Sequence, residues 1–508
     1  MPDSNPDRRD ETYNEEMVRW LARQSFWYRL THLRRHPEAR PIGVSLLFLA
    51  LILIPVLLVG VLGYYVLLQR YLSGVSFGNL VAQEAGKSLE TTNMEGSASR
   101  WKAGTVTINE LKGEGLPGSW VRKATLTGVR FPLHMSELFR KEWTPPSVSM
   151  QRLDLEIRSG LLNPEEAGKL AKQQAAQIER KRQSLVDQKL DPGPYIGKLW
   201  IGPEGSLFAT NHVLVRDANV RWECGQDISA SVVGTTLEAD RSDSGWRIHL
   251  VDGMLSFGWI HQARLGELNA RVVKGVLTIE KASFFIPPLP GTRASEGIGS
   301  LSGKIVYGVQ PQIDIVCKIE NIDVNRLISS DYAGFFSGNL KGEMRVMGSL
   351  NQAGTLSTQG ALDIEKGFSF GTKAPAFFPL VEVLGGELAD VPLRYLEAAS
   401  GAIRFSLAGN KLKMDSVVFV TADGERIEGQ FNCETGAGTL TGVMKLGLKP
   451  STLAEHPLLQ EKYFNESIGD LRWMTVPLDG PIKGLAGGFA EGMRTVLKTE
   501  VEKKKKTP

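Results

Sequence analysis

Residues 401–450 read GAIRFSLAGNKLKMDSVVFVTADGERIEGQFNCETGAGTLTGVMKLGLKP. Ile403, Phe405 and Leu407 alternate with Arg404, Ser406 and Ala408. Met444, Leu446 and Leu448 alternate in the same way with Lys445, Gly447 and Lys449. Successive side chains of a strand point to opposite faces, so this period of two predicts strands with one apolar and one polar face. Between two such runs, Ser416 to Val420 and Arg426 to Cys433, stands Asp423-Gly424. An Asp-Gly pair between alternating runs is a strong hairpin signal, because its residues accept the positive φ that tight turns need.

Working outward, the alternation recurs. Val106 and Ile108 show it, as do Leu153, Leu155 and Ile157; Val273, Leu277 and Ile279; Ile313, Ile315, Cys317 and Ile319; and Leu362 and Ile364. Ser302-Gly303, Lys341-Gly342 and Thr441-Gly442 place a glycine inside strand-like runs. The loose repeat LSGKIVYG, LKGEMRVMGSL, GALDIEKGFSFG, SGAIRFSLAGNKLKMDSV suggests an extended antiparallel meander. One helix is expected over 164–190, with Asn163 as cap, Pro164 in the first turn, Glu166 completing a capping-box-like start and Asp191-Pro192-Gly193-Pro194 as terminator. Its narrow apolar stripe suits a helix lying over one edge or mouth of the sheet. The Pro/Gly-rich stretch from Phe285 to Gly299 is the best internal boundary. Leu453, Leu458 and Leu459 point to a short helix or plug before a closing strand, Trp473 to Leu478.

Near the N-terminus, Ile42 to Leu68 (IGVSLLFLALILIPVLLVGVLGYYVLL) contains no charged side chain. At about 1.5 Å per residue such a helix spans a hydrocarbon core of about 30 Å with tilt to spare. Pro55 is tolerated in membrane helices, and Tyr64, Tyr65 and Tyr71 suit an interfacial belt. Arg19, Arg23, Arg29, Arg34, Arg35 and Arg40 precede the span, while only Arg70 and Lys87 follow soon after. The positive-inside rule therefore predicts a cytoplasmic N-terminus and an exported body held by an uncleaved signal anchor. Met17, Trp20, Leu21, Trp27 and Leu30 fall roughly on one helical face, so the arm either lies on the anionic leaflet or is a loose tail whose arginines fix topology.

The expected class is thus mainly β: a transmembrane helix, then an extended, curled antiparallel sheet with a few accessory helices. The division is a cytoplasmic arm 1–41, the span 42–68, a β-rich region 75–285 with its inserted helix, a β domain 300–485 and a basic tail 486–508 ending in Lys503 to Lys506.

The chain has 508 residues, 59 basic against 56 acidic, and a formal net charge of +3. This balance offers no nucleic-acid footprint. No P-loop, dinucleotide fingerprint, nucleophile elbow or H-E-x-x-H occurs. Seven histidines are scattered, His249 and His261 being the closest exported pair, and no metal site is expected. Asp217, Glu223, Asp252 and Glu267 read as turn or solvated carboxylates, and no catalytic or cofactor-binding residue is assigned. Of three distant cysteines, Cys317 and Cys433 sit in apolar strand register as small hydrophobes; a bridge such as Cys224–Cys433 is left open.

Residues 401–450, followed by WMTVPLDGPIKG at 473–484, resemble the C-terminal region of the AsmA-like family of bacterial envelope proteins. Glu428-Gly429-Gln430-Phe431, Gly442-Val443-Met444 and Val476-Pro477-Leu478-Asp479-Gly480 carry the likeness. Asp479 departs from the family's closing form, which is nearer to G-T-h. The likeness is clear over 360–485 and fades toward the N-terminus. It implies a bacterial inner-membrane protein with its body in the periplasm, contributing to outer-membrane biogenesis. Its partners would be phospholipid or another acyl lipid held in an apolar groove, the inner membrane, and other envelope proteins. Larger relatives look like bridges that move phospholipid toward the outer membrane; a chain of this length would be a partial bridge, a regulator of envelope lipid balance, or one section of an assembly. Phe405, Leu407, Phe431, Met444 and Leu446 are the candidate groove lining, with Arg404, Glu428, Gln430 and Lys445 facing away. The physics leaves two arrangements open, a curled groove and a packed sandwich, because a single-layer sheet cannot leave its apolar face in water. It also leaves a second role, a scaffold that recruits partners at sheet edges.

Overall fold

The computed structural model describes residues 15–20, 23–24, 28, 42–119, 121–134, 137, 145–160, 164–186, 210–224, 228–257, 260–288, 296–308, 310–326, 336–350, 355–370, 397–454, 456–482, 485 and 487–506. The chain divides into two units, Met1–Ser73 and Gly74–Pro508. In the first, residues 15–20 are helical with Met17 and Trp20 exposed. Leu21, Trp27 and Leu30, and most of the flanking arginines, lie outside the described residues. Helix α1 (Ile42–Leu72) then runs through Pro55, and its stretch Phe48–Leu72 is a candidate membrane span. The helix extends four residues beyond the charge-free stretch because Gln69 and Arg70 are good helix formers.

The second unit begins with α2 (Val75–Ser88), β1 (Thr91–Gly96), β2 (Ser99–Lys102), β3 (Thr105–Gly115), β4 (Val121–Pro132) and β5 (Ser147–Ile157). After α3 (Pro164–Val186) come β6 (His212–Cys224), β7 (Ile228–Ser242), β8 (Gly245–Val251), β9 (Met254–Phe257), β10 (Ile260–Val273), β11 (Val276–Ile286), β12 (Gly297–Val306) and β13 (Gln312–Asp323). Next are β14 (Phe336–Ser337), β15 (Asn339–Ser349), β16 (Ser357–Ile364), β17 (Ser369–Phe370), β18 (Ser400–Ala408), β19 (Lys411–Val420), β20 (Arg426–Glu434) and β21 (Thr439–Leu448). The end is α4 (Pro450–Leu453), α5 (Pro457–Lys462), β22 (Glu466–Ile468), β23 (Leu471–Pro477), β24 (Gly480–Pro481) and α6 (Gly487–Lys506).

Twenty-two of these strands form one sheet, and β14 pairs separately with β17. Neighbours in the sheet are nearly always neighbours in sequence, and the pairing is antiparallel except where β5 lies parallel to β6. A parallel step needs a long crossover, and the segment holding α3 supplies it. Helix α3 lies against β1, where buried Gln174 donates from Nε2 to the Gly115 carbonyl at 3.1 Å. Its cap Asn163 and its expected terminator lie outside the described residues.

The Pro/Gly-rich stretch expected as a domain boundary joins two strands, β11 and β12, that pair along their length from Val276↔Val306 to Ile286↔Gly297. The sheet therefore continues without a break from β11 to β12. Prolines stop a strand from continuing, but they do not stop the next strand from pairing with it.

Two helices escape the period-two reading. In α2, Phe77, Val81 and Ala82 are spaced for one helical face, are at most 3% exposed, and pack over the first strands. The expected basic tail is mostly α6, in which Ala490, Met493, Val496 and Leu497 are buried. Lys503 is exposed, as expected of a solvated basic end, while the apolar spacing in the preceding turns decides where the helix lies.

Candidate functional site

Antiparallel register lines up side chains from strands far apart in sequence. Following direct partners from β7 to β21 gives Leu237, Leu250, Leu268, Ala282, Leu301, Cys317, Met344, Gly360, Phe405, Met414, Phe431 and Gly442. Every member is apolar or glycine. With strands about 4.8 Å apart this row is about 50 Å long, at right angles to the strands. A second row runs Leu265, Phe284, Gly299, Ile319, Gly342, Leu362, Ile403, Val417, Gly429, Met444 and Val476. A third runs Ile322, Leu340, Ile364, Gly401, Phe419, Ile427, Leu446 and Met474. On the other side of the first, Ile315, Val346, Thr358, Leu407, Leu412, Cys433 and Leu440 align with one hydroxyl among them.

The opposite face is mostly polar. Val316, Arg345, Gln359, Ser406, Lys413, Asn432 and Thr441 are successive partners there. Arg345 forms a two-pronged pair with Asp314, both contacts 2.7 Å, and holds that carboxyl below its ordinary range. Arg152 does the same for Asp154, to which Asn219 also donates.

Phe405, Leu407, Phe431, Met444 and Leu446 all fall on the apolar face, in four different rows. Leu446 is 1% exposed; the other four are half-buried. Arg404 and Gln430 are exposed on the polar face, and Glu428 and Lys445 pair there with Arg426 and Glu466, each at 3.7 Å. Burial thus grades along β18 to β21. The third row is closed over at Phe419, Ile427 and Leu446, while the first stays partly open at Phe405, Met414 and Phe431.

Helices α4 to α6 and the Phe464 loop contribute to the apolar cluster of the closed end. Leu453, Leu459, Phe464, Ala490 and Met493 have no exposed surface and belong to the same apolar cluster as Leu446, Met474 and Val476. The expected plug is present at Leu453 and Leu459; Leu458 is half-buried. At the opposite end of the sheet α2 packs over β1, and at this end the last strand, β22, is three residues long and exposed.

The in-strand glycines follow a pattern that the sequence half revealed. Leu301-Ser302-Gly303-Lys304-Ile305, Leu340-Lys341-Gly342-Glu343-Met344 and Leu440-Thr441-Gly442-Val443-Met444 share the form L-x-G-x-h. Their glycines have φ of 147°, 152° and 154°, a region open in practice to glycine alone. A Cβ at each would collide with a carbonyl oxygen of the neighbouring strand, that of Asp314, Ala361 or Gln430.

No acid–base pair assembles from Asp217, Glu223, Asp252 and Glu267. Glu223 pairs with Arg122, Asp217 lies 3.7 Å from Arg152, Glu267 accepts from Asn269 at 2.7 Å, and Asp252 occupies a turn with φ of 62°. His249 Nδ1 lies 2.7 Å from Asn269 Oδ1, and the side chain of His261 lies outside the described residues. The polar face instead brings His212 beside Asp240 at 2.8 Å and Glu238 at 3.8 Å. This trio has ligand-type atoms within 4.8 Å of one another, but both carboxylates are exposed, as in an ordinary surface hydrogen-bonded histidine. Cys317 and Cys433 are free and buried, so Cys433 takes part in no bridge; burial pushes the Cys317 thiol up to about 12.

No family model, curated protein or solved structure matches this chain.

Proposed function

We propose that this protein is held in a bacterial inner membrane by α1, carries its β body in the periplasm, and holds phospholipid acyl chains along the apolar rows of its sheet. The supporting observation is the continuity of the first row, twelve partners from Leu237 to Gly442 without a polar side chain. An alkyl chain needs a continuous apolar track, and this row supplies one. Each buried CH₂ contributes about 0.8 kcal/mol with no requirement for a particular residue. The half-buried positions Phe405, Leu407, Phe431 and Met444 leave part of this surface accessible. Resemblance of residues 401–484 to AsmA-like proteins points the same way, toward outer-membrane lipid supply.

The scaffold reading has less support. Strand addition needs a long free edge, and here α2 covers the first strands while β22 is only three residues long.

The test is lipid extraction and mass spectrometry on the full-length protein purified in a non-lipid amphipol. Co-purifying phospholipid, displaced when Met444→Glu is introduced, is the expected result. A wild-type protein free of lipid at full folding rejects the reading. Reporter fusions before Met17 and after Pro508 test the orientation, which rests on the arginines before Ile42.

A further inference from the structure

We infer that α6 is a displaceable stopper, a segment of the chain that shares the apolar face with acyl chains and yields to them; this rests on the acyl-chain reading above. The helix carries an apolar stripe, Phe489, Ala490, Met493, Val496 and Leu497, at the spacing of one helical face. Ala490, Met493 and Leu497 belong to the cluster containing Leu446, Met474 and Val476, the closed ends of the third and second rows, and Phe489 packs against that cluster. Helix α6 and the closed ends of these rows therefore share one apolar cluster. A Leu or Met side chain and an alkyl chain present the same chemistry to such a surface, so the two compete for it.

What holds the stopper is polar and specific. Glu500 is only 5% exposed, although it continues the buried stripe one turn beyond Leu497. A carboxylate in that position is costly unless it is fully engaged. It accepts from the Leu458 backbone N–H at the start of α5, and His456 Nδ1 lies 3.3 Å from its other oxygen. A packing helix needs no buried carboxylate, whereas a helix that must dock in one register and leave again is served by one. Tyr463 stacks edge-on against Phe489 with centroids 5.1 Å apart, and its hydroxyl sits where a Cβ on Gly492 would be. The approach to the helix and its first two residues read Gly484-Leu485-Ala486-Gly487-Gly488. Nothing lies within 4 Å of a Cβ built on Gly487 or Gly488, so no close approach calls for glycine there, and two glycines leave the backbone at the helix start freer than other residues would.

Hydrogen exchange on the full-length, delipidated protein in amphipol, titrated with oleate, tests this. Oleate should slow exchange in β19 and β20 and speed it in residues 489–500. Glu500→Ala should bring the same helix response at about tenfold lower oleate, the factor expected when a charge-assisted hydrogen bond is removed from the closed state alone. Glu500→Gln, whose amide oxygen still accepts from Leu458, should fall nearer wild type. Protected strands with an unchanged helix overturn the stopper and leave the acyl-chain reading standing. Protection nowhere overturns that reading itself. A helix loosened by Glu500→Ala without any shift in the oleate response makes Glu500 structural only, and the inference fails.

Discussion

The ring of Phe405 lies across Gly360, its direct partner on the adjacent strand, in space that any Cβ at position 360 would take. Phe284 lies across Gly299 in the same way. A flat ring shields the bare glycine backbone of the neighbouring strand. Gly360→Ala should therefore destabilise by about 1–3 kcal/mol, the cost of forcing a packed ring from its rotamer. Phe405→Leu in the same chain should recover part of the loss. Denaturant unfolding of both variants measures the coupling, and strict additivity would show that ring and glycine do not meet.

Gly342 and Gly429 occupy the same row, yet alanine should separate them. At Gly342 the φ of 152° and the Ala361 carbonyl both oppose a side chain. At Gly429 the nearest atom to a built Cβ is 3.7 Å away. Gly342→Ala should cost about 1–3 kcal/mol from backbone strain alone, while Gly429→Ala should stay within about 0.5 kcal/mol. Equal melting shifts would contradict the assigned conformations.

Charge on the apolar face should act differently by row. Leu446 is 1% exposed, so Leu446→Asp buries an unpaired carboxylate and should unfold the second unit. Leu407 and Met444 are half-buried. Leu407→Asp and Met444→Glu should leave melting within a few degrees of wild type and deplete bound lipid, whereas Phe431→Leu should keep both. Loss of folding in all the charged variants would point to a packed core along every row.

Cys317 should ignore thiol reagents at pH 8. Burial holds its thiol near 12, so almost no thiolate forms, and the side chain is 4% exposed. Iodoacetamide labelling of native protein, read by peptide mass, should leave it unmodified until denaturant is added. Replacement of all three cysteines should cost under about 3 kcal/mol, because Cys317 and Cys433 act as small apolar fillers.

Much of this architecture is local and therefore legible in the chain. Ile313, Ile315, Cys317 and Ile319 alternate with polar neighbours, and a strand has no other way to present them than on one face. Asp423-Gly424 marks its own turn, with Gly424 at φ of 87°, because backbone freedom belongs to the residue itself. The uncharged stretch from Ile42 announces a helix long enough to span a bilayer by composition and length alone. The same local signal places Phe405 and Leu446 on one face, but it cannot rank them.

That ranking came from tertiary structure. Which residue stands opposite Phe405 depends on a register offset set by bulges, such as the shift between Arg404 and Phe405, and a one-residue slip would turn every side chain to the other face. The row from Leu237 to Gly442 exists only once all those offsets are in place. The parallel step from β5 to β6 and the place of α6 in the apolar cluster of the face likewise depend on segments that meet only in the fold. The chain determines which side chains are apolar and how they alternate, because these follow from bonded neighbours. Only the folded sheet decides which of them line up, which are sealed and which stay open, because burial belongs to the set of segments that meet in space.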